Sequence, residues 1–313
     1  MAQLTPVVDK LLSGVSNMPA SNDDAAFIAE SLLPVIEVKE DSGKLGKLGT
    51  GHLRIQHSLM GGRGAAKRVD VITRSTDSYQ LEKHGLEGVV TEEDYNNVDD
   101  PFDAESEEVM ALTSMIRLEK EKVWADSLLS STVMTNGATL AGAAQFNDYA
   151  NSEPLVKAKA AIAAVKGQCG LLPNAVVMGW QVYNDLKYHP GILEALGFTM
   201  ERAGLLTYAD IAKALDVQKV FVGSAMYDAS VENQTLSLTH IWGKRMLFCV
   251  LPSKAQKYQT SVGWYLKRRG EGSREVFKAP LINPPRSKSI ICQDRYDLIV
   301  KPAAGYLYTD AVA

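Results

Sequence analysis

The stretch from Asp100 to Leu129 constrains the fold of this chain more than any other. Asp100 followed by Pro101 is typical of a helix N-cap with proline in the first turn. Good helix formers then dominate, and no further proline or glycine occurs before Gly137. The pattern predicts a single helix of about thirty residues, a rod of roughly 45 Å. Such a rod is too long to be buried inside one ordinary compact domain, so it must lie across the rest of the protein.

The apolar positions of this helix form two stripes, Val109–Ile116 and Val123–Leu128. Five charged residues separate the stripes: Arg117, Glu119, Lys120, Glu121 and Lys122. A single buried apolar stripe would not be interrupted by five charged residues, so two interpretations stay open. The helix packs on its own sheet at both ends with a solvated middle, or it is a spine whose middle contacts a neighbouring subunit through Arg117, Glu119 and Glu121.

Composition narrows the functional class. With 33 Lys plus Arg against 37 Asp plus Glu, the 313-residue chain has a net charge of -4, unlike a protein that wraps nucleic acid. No stretch approaches the roughly twenty apolar residues of a membrane span. Three widely separated cysteines, Cys169, Cys249 and Cys292, predict free thiols in a reducing compartment. We therefore expect a protein that is made in a cytoplasm and has no membrane contact.

The N-terminal third contains segments that cannot form a core alone. Residues 1–33 have apolar residues at helical spacing from Val7 to Val15 and predict an arm laid over another surface. Pro34–Lys39 alternates like a strand. Seven glycines between Gly43 and Gly64 predict a long projecting hairpin, with Val69–Thr73 as its returning strand. The cations of this loop are Lys44, Lys47, Arg54, Arg63, Lys67 and Arg68.

The second half of the chain has a different secondary-structure pattern. Asn151–Pro154 predicts a helix start and Gly167 its end, and short apolar strands at Ala175–Met178 and Val220–Val222 alternate with helices. This pattern predicts an α/β lobe, after which strands dominate from Ile241 onward. Five basic residues in this part of the chain are either solvated or contact a neighbouring subunit. If they lie on adjacent strands, they would form a ladder of charges. The five residues are Lys267, Arg268, Arg269, Arg274 and Lys278.

The sequence contains no recognisable catalytic, cofactor or metal signature. The five histidines lack ligand spacing, and no nucleophile elbow or phosphate-binding loop is complete. The nine acidic residues of Thr91–Glu108 are interpreted as charges that complement a helix N-terminus, with a metal site as a weaker alternative. We expect no catalytic residue, no cofactor and no metal, and hence a structural protein.

The order of these parts resembles the major capsid proteins of tailed bacteriophages, which have the Hong Kong 97 fold. The stretches that carry the resemblance are Leu33–Ile36, Asp99–Pro101, Arg117–Glu121, Asp148–Pro154, Pro173–Gly179, Tyr188–Pro190, Ile241–Lys244 and Asp294–Val300. The resemblance implies an α+β fold with four parts: an N-terminal arm and first strand (1–40), an extended loop (41–75), a peripheral domain (76–135 and 257–295) that contains the spine helix, and an axial α/β domain (136–256 and 296–313).

The resemblance also implies a function. Pentamers and hexamers of the chain would close into an icosahedral shell around weakly contacted double-stranded DNA, in a virion assembled in the host cytoplasm. A portal, a separate scaffolding protein and a decoration protein are expected partners. Two alternatives stay open: an encapsulin-like nanocompartment shell, and a cytoplasmic α/β enzyme with a cleft where Ala175–Gly179 and Val220–Gly223 end.

Overall fold

The computed structural model describes residues 7–8, 12–13, 16, 26–48, 55, 59, 74–91, 93, 104–231, 234–253, 259–269, 274–281 and 287–313. The helices in these ranges are α1 (Ala29–Leu32), α2 (Ala104–Leu128), α3 (Pro154–Cys169), α4 (Trp180–Tyr188), α5 (Pro190–Leu196) and α6 (Tyr208–Ala214). Short 3-10 helices cover Gly142–Ala144, Met200–Leu205 and Pro302–Ala304.

The strands are β1 (Val7–Val8), β2 (Val35–Val38), β3 (Ser42–Leu48), β4 (Arg74–Gln80), β5 (Glu82–Val90), β6 (Gly137–Thr139), β7 (Ala175–Gly179), β8 (Lys219–Gly223), β9 (Met226–Asp228), β10 (Leu238–His240), β11 (Met246–Cys249), β12 (Gly263–Arg268), β13 (Arg274–Leu281), β14 (Ser287–Val300) and β15 (Gly305–Thr309).

The long helix is confirmed as α2, which we call the spine helix. Its 25 residues span about 37 Å, and its interior contains neither glycine nor proline. The predicted cap at Asp100 and Pro101 lies outside the described residues. The spine helix lies across the first sheet, where it contacts β5 and β14.

The first sheet is built around the 14-residue strand β14. Strand β5 pairs antiparallel along one edge, from Lys288 to Tyr296. Strands β13 and β12 each pair with residues of β14 that also pair with β5 on the other side. Both therefore lie along the opposite edge of β14, one after the other. Strand β2 extends the sheet parallel to β12, and β1 pairs with β13.

The second sheet has the order β6-β15-β11-β7-β8, with β7 and β8 parallel. Every residue of β7 and β11 is buried, as expected for central strands covered on both faces. Successive residues of β7 point to opposite sides, so Val177 joins a core shared with the spine helix while Val176 and Met178 join the core beneath α3 to α6. The predicted α/β lobe is therefore a layer between two helical surfaces.

Several predicted ends are corrected by the structure. Helix α3 continues through Gly167 to Cys169 and is capped by Gly170, whose φ of 75° is the left-handed conformation that favours glycine. Thr207 caps α6 through a capping box with Asp210. The strands predicted at Ala175–Met178 and Val220–Val222 are confirmed as β7 and β8. Strand β7 has one extra residue and β8 has two.

The N-terminal arm touches its own subunit wherever the structure describes it. Val7 and Val8 form strand β1 against Phe277 and Lys278, so their helical spacing is misleading. Leu12 is buried beneath the start of the spine helix. An arm lying wholly on another surface is therefore wrong for these residues.

The predicted hairpin is confirmed at its base, where β4 is the described part of its returning side. Strand β3 pairs with β4 over the full seven residues of each, from Ser42 opposite Gln80 to Leu48 opposite Arg74. The predicted returning strand, Val69–Thr73, lies outside the described residues.

Two further expectations are corrected in the first sheet. Because β14 continues to Val300, a boundary between residues 295 and 296 would cut a continuous strand. The chain leaves the sheet at Lys301, just before the 3-10 turn Pro302–Ala304. The basic ladder is also wrong, because β12 and β13 lie end to end along β14 and not side by side.

Candidate subunit-contact site

The middle of the spine helix is buried within its own chain. Lys120 and Glu121 are each 1% exposed, which is less than many apolar residues of the helix. A solvated middle is therefore wrong for these two residues, and a neighbouring subunit cannot reach them in this structure. The helix buries one continuous surface from Val109 to Leu128.

Lys120 is surrounded by acceptors and aromatic rings. Its Nζ donates to Asp294 Oδ2 at 2.7 Å, to the Tyr265 hydroxyl at 2.9 Å and to Glu30 Oε1 at 3.1 Å. The Tyr265 and Tyr296 ring centroids lie 4.8 and 4.7 Å from the same nitrogen. Burial alone lowers the pKa of Lys120, but Asp294, Tyr265 and Glu30 outweigh it and raise that pKa, so the lysine is charged.

Glu30 connects this lysine to a buried arginine. Arg274 Nη1 donates to Glu30 Oε1 at 2.9 Å, and its Nε donates to the Ser16 carbonyl at 3.0 Å. Burial raises the pKa of Glu30, whereas Lys120 and Arg274 lower it, and the net shift is downward. The N-terminal segment is thus joined by charge to both the spine helix and β13.

Glu121 supports the same segment from the opposite side. Its two carboxylate oxygens accept hydrogen bonds from the backbone N–H groups of Ile28 and Ala29, each at 2.9 Å, at the start of α1. Trp242 Nε1 donates to Oε1 at 2.6 Å. Burial raises the pKa of Glu121, and these three donors oppose that shift. We call Glu30, Lys120, Glu121, Arg274 and Asp294 the buried charge cluster. Four of these residues are buried, and Glu30 lies at the edge of the cluster with 36% of its side chain exposed.

The buried charge cluster changes the assignment of two predicted contact residues. Glu121 and Arg274 are used inside the subunit, so their assignment to a subunit interface is corrected. Arg117 lies with its guanidinium carbon 5.0 Å from the Phe27 ring centroid and is half-buried. Glu119 faces outward with 51% of its side chain exposed, and its Oε1 lies 3.4 Å from Nδ1 of His84.

The hairpin is attached to the first sheet by a second set of charges, at its base. Asp41 Oδ1 lies 3.3 Å from Arg268 Nη1 and 3.4 Å from Arg295 Nη1, and Lys301 Nζ lies 3.5 Å from Asp77 Oδ2. We call these five residues the hairpin base. A small apolar cluster lies beneath them, in which side chains of the hairpin pack on β12. Its fully buried members are Val38, Leu81, Trp264 and Leu266.

The outer part of the hairpin presents its described side chains to solvent. Lys44 is exposed, and Lys47 pairs through its backbone with Ser75. Ile55 and Leu59 are 97% and 98% exposed. The remaining predicted contact residues of the loop, Arg54, Arg63, Lys67 and Arg68, lie outside the described residues. Arg269 follows β12 and is exposed.

The backbone is closely packed at the ends of β7 and β8, where an α/β enzyme would need a cleft. Strands β7 and β8 end at Gly179 and Gly223, and a Cβ at either glycine would collide with the Gly243 carbonyl or the Trp242 ring. Among the described residues no group of three or more His, Cys, Asp or Glu side chains is placed to hold a metal ion. Cys249 and Cys292 are buried free thiols and Cys169 is half-buried. Within the same residues, no helix combines the length and the apolar character needed to cross a membrane.

Sequence reasoning missed Lys120, Asp294, Tyr265 and Trp242, the residues on which the buried charge cluster depends. A signal for Lys120 was present. It lies four residues after Ile116 and four before Trp124, on the stripe that those two apolar residues define. Its partners Glu30, Tyr265 and Asp294 lie 90, 145 and 174 residues away in sequence, where no local pattern connects them.

Known proteins resemble this chain over most of its length. The major capsid protein of Burkholderia phage BcepMu is 26% identical over 272 residues, which are 84% of either chain. A phage-related protein from Bordetella bronchiseptica RB50 matches the structure with a TM-score of 0.75 and 22% identity, covering 98% of both chains. The capsid of Cyanophage P-SCSP1u matches with a TM-score of 0.58 at 10% identity, over 93% of this chain and 90% of that one. No family profile matches the sequence.

These matches confirm two predictions. The chain is similar to the major capsid proteins of tailed phages, as its order of parts indicated. Its fold is the Hong Kong 97-type capsid fold.

Proposed function

We propose that many copies of this chain assemble into the icosahedral shell of a phage head. The observation that carries the proposal is the hairpin of β3 and β4, whose described ion pairs with the rest of the chain lie at its base. In the described part of this segment Lys44, Ile55 and Leu59 are exposed to solvent. A two-stranded hairpin is marginally stable in water, so it gains by lying on a sister subunit. The similarity to a major capsid protein supports this function.

The finer arrangement is part of the proposal. We infer pentamers and hexamers, because a closed shell of identical chains needs heterologous contacts that close into rings. The first sheet and the spine helix would form the peripheral domain, and the second sheet with its helices would form the axial domain. The extended loop, residues 41–75, would reach over an adjacent subunit, with Arg117, Glu119, Arg268 and Arg269 near that contact.

The partners follow from the same proposal. The shell would enclose double-stranded DNA and touch it weakly, because a net charge of -4 provides little attraction to phosphate. A portal, a scaffolding protein and a decoration protein are further expected partners in a virion assembled in the host cytoplasm. The relatives' names indicate a structural role and not a catalytic one.

Electron microscopy and sedimentation of the purified full-length chain test the proposal. We expect megadalton shells, or rings of five or six copies that close into shells when a scaffolding protein is co-expressed. A small oligomer under both conditions contradicts the proposal. Shells that enclose a cargo protein and no genome would instead indicate the encapsulin-like alternative.

A further inference from the structure

His189 connects two helices beside the second sheet to the segment that precedes α3. It is 2% exposed and lies between the last residue of α4 and the first residue of α5. Its backbone N–H donates to the Leu186 carbonyl at 3.2 Å, and its side chain caps α5. The ring also reaches Ser152, two residues before α3. Three elements therefore meet at one buried imidazole.

The hydrogen bonds of this ring define its protonation state. Nδ1 of His189 accepts the backbone N–H of Gly191 at 3.1 Å, so Nδ1 carries no proton. Nε2 lies 2.9 Å from Ser152 Oγ, whose single hydrogen is donated to the Asp148 carbonyl at 2.7 Å. Ser152 Oγ must therefore accept a hydrogen bond from Nε2–H. Both observations indicate the same neutral tautomer, with its proton on Nε2.

The contact between Ser152 and His189 does not have the geometry of a nucleophile and its base. An activated serine donates its proton to a free lone pair of the histidine. Here the proton lies on Nε2 and points at the serine, while the serine hydrogen is bound to a backbone carbonyl. The pair therefore holds the structure together and does not activate the hydroxyl.

The neutral tautomer leaves no position at which the ring can bind a second proton in place. A proton on Nδ1 of His189 would face the N–H of Gly191, so two donors would point at each other. The Gly191 N–H would also lose the acceptor that caps α5. Burial acts in the same direction and lowers the pKa of His189. Protonation therefore requires the contact between the ring and Gly191 to break.

The groups around His189 offer little compensation for a charged ring. The Tyr149 ring meets the imidazole edge-on, with centroids 5.6 Å apart. Asp185 accepts a hydrogen bond from Tyr149, but burial raises the pKa of Asp185, which makes it a poor partner for a cation in mild acid. The Asp148 carboxylate binds the backbone N–H of Asn151. Further charged or titratable groups of the adjoining elements are Glu153, Lys157, Lys187, Tyr188 and Glu194.

We propose that His189 is an acid-sensitive latch, whose protonation in mild acid releases Gly191 and Ser152 and loosens residues 148–154 from the start of α5. The direction follows from the linkage between protonation and stability. The pKa of His189 in the folded chain lies below its ordinary value of 6.5. Its contribution to stability is therefore complete above pH 6.5 and is lost as the pH falls from there toward the lowered pKa. The latch concerns the single chain and does not depend on the proposed shell function.

Hydrogen–deuterium exchange of the full-length chain, measured by mass spectrometry, tests the latch. Backbone exchange is compared at about pH 8 and about pH 5, after correction for the intrinsic effect of pH on the exchange rate. We expect peptides that cover residues 148–154 and 189–197 to lose protection at the lower pH. Peptides of β14 should keep theirs, because the first sheet contains no part of the latch.

Two substitutions remove the titrating ring, and each keeps one of its hydrogen bonds. In His189→Asn the side-chain oxygen can accept the Gly191 N–H, since asparagine is a favoured helix cap. In His189→Gln the longer amide can donate to Ser152 in place of Nε2. Both variants should show the same protection at the two pH values. The matched control is His84→Gln, which removes a half-buried histidine of the first sheet whose Nδ1 lies 3.4 Å from Glu119 Oε1, and it should respond like the wild type.

Three results would overturn the latch. The first is equal protection of the wild type at both pH values. The second is the same acid-induced loss in the wild type and in both His189 variants, which would assign the response to neighbouring carboxyl groups. The third is a simultaneous loss of protection in β14, because the chain would then unfold as a whole.

A measurement on the wild type decides the matter if neither variant folds. Exchange of the C2 hydrogen of His189 reports the protonation of the ring itself. A midpoint below pH 6.5 supports the latch, and a midpoint at or above pH 6.5 contradicts it. The presence or absence of shells bears only on the proposed function, so either inference can fail while the other stands.

Discussion

The buried charge cluster and the hairpin base use the same kinds of side chain in different surroundings. Both join an N-terminal segment to the first sheet through pairs of acidic and basic residues. In the cluster, the side chains of Lys120 and Asp294 are 1% and 2% exposed. At the hairpin base, Asp41 is 53% exposed and Arg268 is 37% exposed. The two regions therefore differ in solvent access and not in chemistry.

Solvent access decides what each region can do. Charges in water are screened, and an exposed pair typically contributes 0.2–1 kcal/mol. Removing one partner of a buried pair leaves an uncompensated charge and costs roughly 3–5 kcal/mol. The cluster therefore holds residues 26–33 to the spine helix as part of the fold. The exposed pairs of the hairpin base are weaker, and in the shell that we propose they would direct the hairpin toward a neighbouring subunit.

The largest expected effect is the loss of assembly when the loop that follows Lys44 and contains Arg68 is shortened. Because Leu48 lies opposite Arg74, an Asn-Gly turn can replace residues 49–73 and close the hairpin. We expect sedimentation to show loss of shells, and urea denaturation to show an unfolding free energy within about 1 kcal/mol of the wild type.

A second loop variant separates length from charge. Replacing Arg54, Arg63, Lys67 and Arg68 by serine keeps the length of the loop and should make assembly weaker without abolishing it. Normal shells from the shortened chain would contradict the proposed function. A large loss of stability in the shortened chain would show that the loop, like the buried charge cluster, is part of the stable fold.

The largest effect on stability is expected at Lys120. Lys120→Ala leaves Asp294 buried without its cation, so urea denaturation should show a loss of about 3–5 kcal/mol. Lys122→Ala is the matched control, because Lys122 pairs at the surface with Asp126 one turn later. The control should cost at most about 0.5 kcal/mol. Similar losses in both variants would show that burial does not distinguish them.

A smaller, pH-dependent effect is expected at Glu30. The pKa of Glu30 lies below its ordinary value of 4.5, because Lys120 and Arg274 outweigh the opposing effect of burial. Its contribution to stability is therefore present above pH 4.5 and is lost as the pH falls through the lowered pKa. Urea titrations of Glu30→Gln should show lower stability at neutral pH and a shallower decline below pH 4.5.

The control for this titration is Asp126→Asn, which removes an exposed carboxylate from the spine helix. Its decline in acid should follow that of the wild type. An unchanged acid profile in Glu30→Gln would mean that this carboxylate gains nothing from its two cations in the folded state.

The smallest effect is expected at the hairpin base. Asp41→Ala removes a half-exposed carboxylate from Arg268 and Arg295, so the unfolding free energy should fall by only about 0.2–1 kcal/mol. Assembly should slow, because the hairpin is less well directed, and light scattering can follow its rate. A loss of unfolding free energy as large as that of Lys120→Ala would contradict this expectation, because the hairpin base would then stabilise the fold as much as the buried charge cluster does.

Much of the fold could be predicted from local patterns. The uninterrupted helix formers before Leu128, the Thr207 cap and the apolar run at Ala175–Met178 each depend on neighbours within a few residues. Where a pattern allowed two solutions, the local prediction was wrong. Gly167 and Gly170 are both plausible helix ends, and only the backbone conformation selects Gly170.

The candidate site was less predictable. Glu121 and Arg274 were assigned to a subunit interface because long charged side chains are usually exposed. Their burial depends on Trp242, Glu30 and Ser16, which are distant in sequence.

The amino-acid sequence by itself determined the long helix, the glycine-rich loop, the α/β lobe and the similarity to phage capsid proteins, because these follow from the order and local chemistry of residues. Only the tertiary structure decided which charges are inside. The cost of burying Lys120 or Glu121 depends on whether Asp294, Tyr265 and Trp242 reach them, and that proximity exists only after distant strands and helices have packed together.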